Sequence, residues 1–188
     1  MALDLPEGVA GEIDEWRAEA FGGRSEVRLP SAESLHATLV FLGYQAERDV
    51  ARIAEAAFAE RPAPFELVPL EVVEVPARRP RLFAVSLEDG GALVGWQGGL
   101  SERLHELGVY EPERRPFWPH VTVARVKTPR RRGEGGRRER PPPSTAPPPA
   151  LPEGLRRPFR ASRVTLYKST LRPQGALYES LAELSASD

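Results

Sequence analysis

Two stretches decide how this chain is read: SLHATLVFLG at residues 34–43 and PHVTVARV at residues 119–126. Each carries a histidine, one spacer residue and a threonine within an otherwise apolar run. Side chains alternate across a strand, so His36 and Thr38 share one face, as do His120 and Thr122. The opposite face carries Leu35, Ala37, Leu39 and Phe41 in the first stretch, and Val121 and Val123 in the second. One face of each strand therefore suits a core, while the other offers an imidazole beside a hydroxyl. Polar groups on an inner sheet face are costly without partners, and a wet cleft removes that cost. The two histidines lie 84 positions apart in a chain of 188 residues. The echo predicts two similar lobes, each placing one strand at a shared cleft.

Working outward, strand and helix patterns alternate. Pro6-Glu7 opens a helix to about Phe21, with Val9, Ile13, Trp16 and Ala20 spaced for one apolar face. A strand is expected over residues 35–43, ended by Gly43, then a helix from Asp49 to Glu60. FELVPLEVVEV (65–75) and LFAVSLE (82–88) read as strands, and Ala92 to Gly108 as a helix. PHVTVARVK (119–127), SRVTLYKSTL (162–171) and ALYESLAEL (176–184) complete the strands. The chain is α+β, one domain over residues 1–188 with helices between strand groups.

One segment departs from this pattern. Nine of the 20 prolines lie between Pro129 and Pro158, and residues 129–140 hold six arginines against Glu134 and Glu139. With Leu151 and Leu155 as almost its only large apolar residues, the stretch 129–158 is expected to be a mobile surface loop, a solvated linker rather than an RNA-steering arm. Whole-chain charge, a formal −1 at pH 7, argues for no particular partner. The absence of cysteine excludes disulfides, thiolate metal sites and cysteine nucleophiles. No apolar run approaches the roughly 20 residues of a membrane span, and the N-terminus has no signal-peptide pattern, so a cytoplasmic protein is expected.

A lone strand histidine is usually a hydrogen-bonded structural residue. Two in the same local pattern, in a chain with three histidines, are not an accident of composition. His105 lacks such company and reads as structural. A neutral imidazole takes a proton and an imidazolium gives one near pH 7. In-line cleavage of a phosphodiester needs a base on the attacking oxygen and an acid on the departing one, on opposite sides of phosphorus. Two facing strands supply both, and the threonine hydroxyls can donate to the non-bridging oxygens. No Asp/Glu/His cluster of metal spacing accompanies them, so neither metal nor cofactor is expected. With unperturbed imidazoles the rate should peak roughly between pH 5 and 8.

At these residues the chain resembles the 2H phosphoesterase superfamily, and within it the RNA 2′,3′-cyclic phosphodiesterases, also called 2′-5′ RNA ligases. ALDLP, SLHATLVFLG, RRPFWPHVTVARV and YKSTLRPQGALYESLAEL carry the likeness in the family's order. It implies a bilobal α+β fold, two antiparallel sheets facing a central cleft with helices outside. It also implies His36 as proton donor, His120 as proton acceptor, and Thr38, Thr122 and Arg125 as phosphate ligands. Simple alternation, however, puts Arg125 on the face opposite His120, so a twist or a long reach is required. The family usually has a longer apolar first strand before ALDLP than Met1-Ala2 provides, which points to a shortened strand or missing residues.

The implied reaction is hydrolysis of RNA 2′,3′-cyclic ends to 2′-phosphomonoesters, by a monomer whose partner is the RNA or nucleotide. Ligation through the same site and a non-catalytic nucleotide-binding module are the alternatives. Phe41, Tyr44, Trp118 and Tyr167 are candidates for stacking on a base, with core packing the expected role of each.

Overall fold

The computed structural model describes residues 1–127, 146–161, 163–172 and 175–185. Along the chain these form β1 (Ala2–Asp4), α1 (Glu7–Phe21), β2 (Val27–Arg28), β3 (His36–Thr38), α2 (Val50–Ala57), β4 (Phe65–Val75) and β5 (Leu82–Glu88). Next come α3 (Ala92–Glu106), β6 (His120–Val126), β7 (Phe159–Ala161), β8 (Arg163–Arg172) and β9 (Gly175–Ser185).

Among the described residues all strand pairs are antiparallel, in the order β7-β4-β5-β6-β3-β1-β8-β9, with β2 also on β6. The order falls into two halves, β7-β4-β5-β6 and β3-β1-β8-β9. They are joined into one continuous sheet by a short seam in which Ala37 of β3 pairs with Val121 of β6. Both residues are fully buried, so the seam is dry on its core side. Short β1 lies between β3 and β8, with Leu3 buried and Asp4 paired to both His36 and Arg163.

Helix α1 follows Pro6, whose fixed φ suits a helix start, and carries Glu7 where the amide dipoles favour a negative charge. Its innermost line is Ile13, Arg17 and Phe21, while Val9, Trp16 and Ala20 flank it half-buried. Helix α3 ends as expected at a glycine in the left-handed region, Gly108 with φ 76°.

Two expectations are corrected. The apolar run over residues 35–43 is not one strand: beyond Thr38 the Leu39 and Val40 amides both donate to the Met1 carbonyl. Leu39 and Val40 still fill the core, and Phe41 then emerges 74% exposed. Burial, rather than a ladder, explains the apolar residues there. The stretch 129–158 is also not uniform. Residues 128–145 lie outside the described residues, but Leu151 is 3% exposed and Leu155 packs on the core through a single 3-10 turn at Glu153–Leu155. Arg156 Nε donates to the Leu151 carbonyl and Arg24 Nη2 to the Pro147 carbonyl, so residues 147–156 are laid on the body. No helix among the described residues is long and apolar enough to cross a membrane.

Candidate active site

The seam between β3 and β6 builds the site. Carried one residue either way, the Ala37–Val121 register sets His36 opposite Thr122 and Thr38 opposite His120. The four side chains therefore form a square on one sheet face, with the histidines on one diagonal. Diagonal partners in an antiparallel pair have Cα atoms about 7–8 Å apart, room for a tetrahedral group between two imidazoles. All four residues line a cleft of about 930 Å³, together with Arg125.

Arg125 reaches that face because β6 breaks its own alternation. Ala124 pairs with Phe83 and Thr122 with Ala84, so Val123 is one extra residue on β6. Such a bulge shifts the parity of everything beyond it. Val123 and Ala124 are consecutively buried, and Arg125 returns to the side of Thr122. Neither a twist nor a long reach is needed.

The two imidazoles sit in different surroundings. His120 Nδ1 lies 2.8 Å from the Trp118 carbonyl, which can only accept, so Nδ1 carries the hydrogen. In the neutral ring the lone pair is then on Nε2. The Trp118 indole stacks on the same imidazole at 4.3 Å between centroids and 15° between planes. One residue thus fixes both the tautomer and the plane of His120. Burial lowers its pKa, the carbonyl hydrogen bond opposes that, and Arg125 adds to it.

His36 is more deeply enclosed, 8% exposed, stacked on Tyr167 at 5.7 Å and edge-on to Tyr178 at 5.0 Å. Desolvation pushes its pKa down to about 4, with Asp4 opposing and the Met1 amino group and Arg125 adding. Its Nδ1 has no hydrogen-bond partner among the described residues. Asp4 faces it from the next strand and is fully engaged: Arg163 Nε, Thr165 Oγ1 and the Tyr167 hydroxyl donate to it at 2.8, 2.7 and 2.9 Å. Burial and that carboxylate raise the Tyr167 pKa to about 12, so the phenol stays a donor. In the protein alone both imidazoles are therefore largely neutral at pH 7.

The five residues singled out in the sequence all meet in this cleft. Asp4, Tyr178, Arg28 and Arg172 were not singled out. Asp4 had a signal, an acid directly after the apolar pair Ala2-Leu3 in ALDLP, but its strand is three residues long. Of the stacking candidates, Phe41 and Trp118 line the cleft, while Tyr44 is exposed outside it; none of these three is core. Tyr167 packs on His36 instead. His105 does not line the cleft, and its Nδ1 lies 3.1 Å from the Tyr110 carbonyl.

Comparisons with known proteins point the same way. An RNA 2′,3′-cyclic phosphodiesterase of Methanocaldococcus jannaschii is 26% identical over 192 residues, covering 97% of each chain. Another, of Archaeoglobus fulgidus, is 30% identical over 128 residues, 68% of this chain and 71% of its own. The fold matches E. coli LigT complexed with 3′-AMP with a TM-score of 0.75 at 21% identity, covering 100% of this chain and 96% of that one. The family model for the 2′-5′ RNA ligase superfamily spans residues 5–169, from just before α1 through both His-x-Thr strands into β8, and the chain belongs to that superfamily.

Proposed function

We propose that the protein hydrolyses RNA 2′,3′-cyclic phosphate ends to 2′-phosphomonoesters, using its two histidines as acid and base. The observation that carries this reading is the seam register, which puts the two imidazoles on one diagonal and the two hydroxyls on the other. The names of the curated relatives support the substrate class.

His120 Nε2, the lone-pair nitrogen of the fixed tautomer, takes a proton from water as the water oxygen attacks phosphorus. The bond from phosphorus to the ribose 3′ oxygen breaks opposite the attack, and His36 protonates that oxygen. Thr38 and Thr122 donate to the non-bridging oxygens, and the Arg125 guanidinium offsets the charge that grows on them. His36 is neutral in the empty cleft and acquires its proton with the substrate, because a bound phosphodiester anion favours imidazolium. Asp4 works in the same direction from behind.

Incubating the protein with a nucleoside 2′,3′-cyclic phosphate in EDTA and identifying the product tests this. A 2′-phosphate is expected. A 2′-5′ linked product in the presence of 5′-hydroxyl RNA would assign ligation, and binding without turnover would assign a binding module.

A further inference from the structure

Three arginines converge at one end of the cleft in an arrangement that is unfavourable by itself. Arg28 of β2 and Arg125 of β6 are direct cross-strand partners, and both line the cleft. Like charges directly opposite each other in an antiparallel pair are destabilising. The third is Arg172 at the end of β8, whose cross-strand partner is Gly175. Arg28 Nη1 lies 3.5 Å from where a Cβ on Gly175 would be, so its guanidinium rests against the end of that hairpin. Arg172 and Gly175 line the same cleft.

Some arginines are matched to acids, Arg103 to Glu60, Arg163 to Asp4 and Arg17 to Asp14. No ion pair is seen for Arg28, Arg125 or Arg172 among the described residues. Glu113 is the single carboxylate lining the cleft among them, against four arginines, Arg28, Arg115, Arg125 and Arg172. A cyclic phosphodiester at the His–Thr square brings one negative charge, and Arg125 is placed to meet it. Arg28 and Arg172 remain, both adjoining Gly175 at the hairpin end.

We propose that Arg28 and Arg172 form a second phosphate subsite, which holds the phosphodiester on the 5′ side of the terminal nucleotide while the cyclic end occupies the His–Thr square. This rests on the reading of the cleft as an RNA phosphodiesterase site and adds that it reads a strand rather than a lone nucleotide. Guanidinium forks bind phosphate oxygens in pairs, and a second anion relieves the Arg28–Arg125 repulsion as it binds.

The test compares kcat/KM on three substrates: a nucleoside 2′,3′-cyclic phosphate, the same nucleotide with a 5′-phosphate, and a dinucleotide with the cyclic end. The wild type should prefer both phosphate-bearing substrates by about tenfold or more. Arg28→Gln and Arg172→Gln should each reduce that preference severalfold, and Arg28→Lys should restore part of it. A preference unchanged in both glutamine variants overturns the proposal. So does a preference for the dinucleotide that the 5′-phosphate alone does not reproduce, since the second nucleoside would then be the feature read.

Binding separates this from the reaction itself. The affinity of a 3′-phosphorylated dinucleotide should fall with salt, and each glutamine variant should flatten the log–log slope by about 0.7, the value for one lost contact to a single strand. That flattening in a protein that turns over none of the substrates would keep the subsite and remove the proposed reaction. Turnover of the cyclic end with an unchanged slope would do the reverse.

Discussion

Acid should destabilise this protein through His36 specifically. The imidazole is pushed down to about 4 by desolvation, against 6.5 for the exposed ring of the unfolded chain. As pH falls through that interval the unfolded chain binds the proton first, so the proton pulls the equilibrium toward unfolding. The stability held in the neutral buried ring is complete above pH 6.5 and is lost as pH falls toward 4. The full span corresponds to about 3 kcal/mol, of which about 2.5 kcal/mol is gone at pH 4.5. His36→Gln has no such proton to bind, so the comparison cancels the titration of other groups. Urea unfolding of both proteins at pH 7.5 and pH 4.5 measures the difference. With a slope of about 2 kcal/mol per molar, the wild-type midpoint should drop by about 1 M more than the variant's. Parallel losses in the two proteins would mean that His36 titrates as an exposed ring, and that its enclosure by Tyr167 and Tyr178 is absent in solution.

Three further outcomes concern activity. His36→Ala and His120→Ala should each lower kcat by roughly 10² to 10⁴, and the double variant by far less than the product, because acid and base act as a unit; near-normal turnover in either single variant would remove the assignment. Thr38→Ala and Thr122→Ala should lower kcat/KM by at most about 3 kcal/mol each, less than the loss of an oxyanion-hole amide, and an unchanged value in both would leave the threonines as strand residues only. The kcat/KM optimum should lie below pH 6.5, because both imidazoles of the unliganded cleft are depressed, with the kcat profile at higher pH and excess EDTA without effect. A rate that climbs steadily to pH 9, or one that chelator abolishes and divalent ion restores, would indicate metal-bound hydroxide.

The sequence carried the site further than it carried the sheet. His36, Thr38, His120 and Thr122 were legible because two short patterns recur, and the strands at 65–75 and 82–88 because they are long apolar-rich runs. Strands β1, β2 and β7 have two or three residues each, too few for any period to register. The opposite error arose at Leu39 and Val40, where core burial without a ladder looks the same in sequence as a strand. The pH expectation moves downward for a different reason. An unperturbed imidazole was assumed, but the rings that desolvate His36 come from β8 and β9, more than 130 residues away along the chain. Asp4 was passed over in the same way, since its donors Arg163, Thr165 and Tyr167 all come from β8.

The bulge at Val123 shows how fold and site requirements were reconciled on one strand. The core side of β6 needs Val121 and Val123 inward, and strict alternation would then send Arg125 inward as well. A buried guanidinium there would need partners that the apolar core does not offer. One extra residue turns the strand, at the cost of leaving the Val123 carbonyl outside the ladder. That carbonyl accepts from Arg17 Nη1 at 3.3 Å, and Arg17 Nη2 donates to the Pro30 carbonyl at 2.8 Å. Arg17 is 1% exposed and held by Asp14 through Nε at 2.7 Å, so its charge is matched and its position fixed. The arginine that interrupts the apolar face of α1 therefore braces the bulge against the segment leading into β3. Through it, one helix position connects the turn that presents Arg125 to the strand that presents His36.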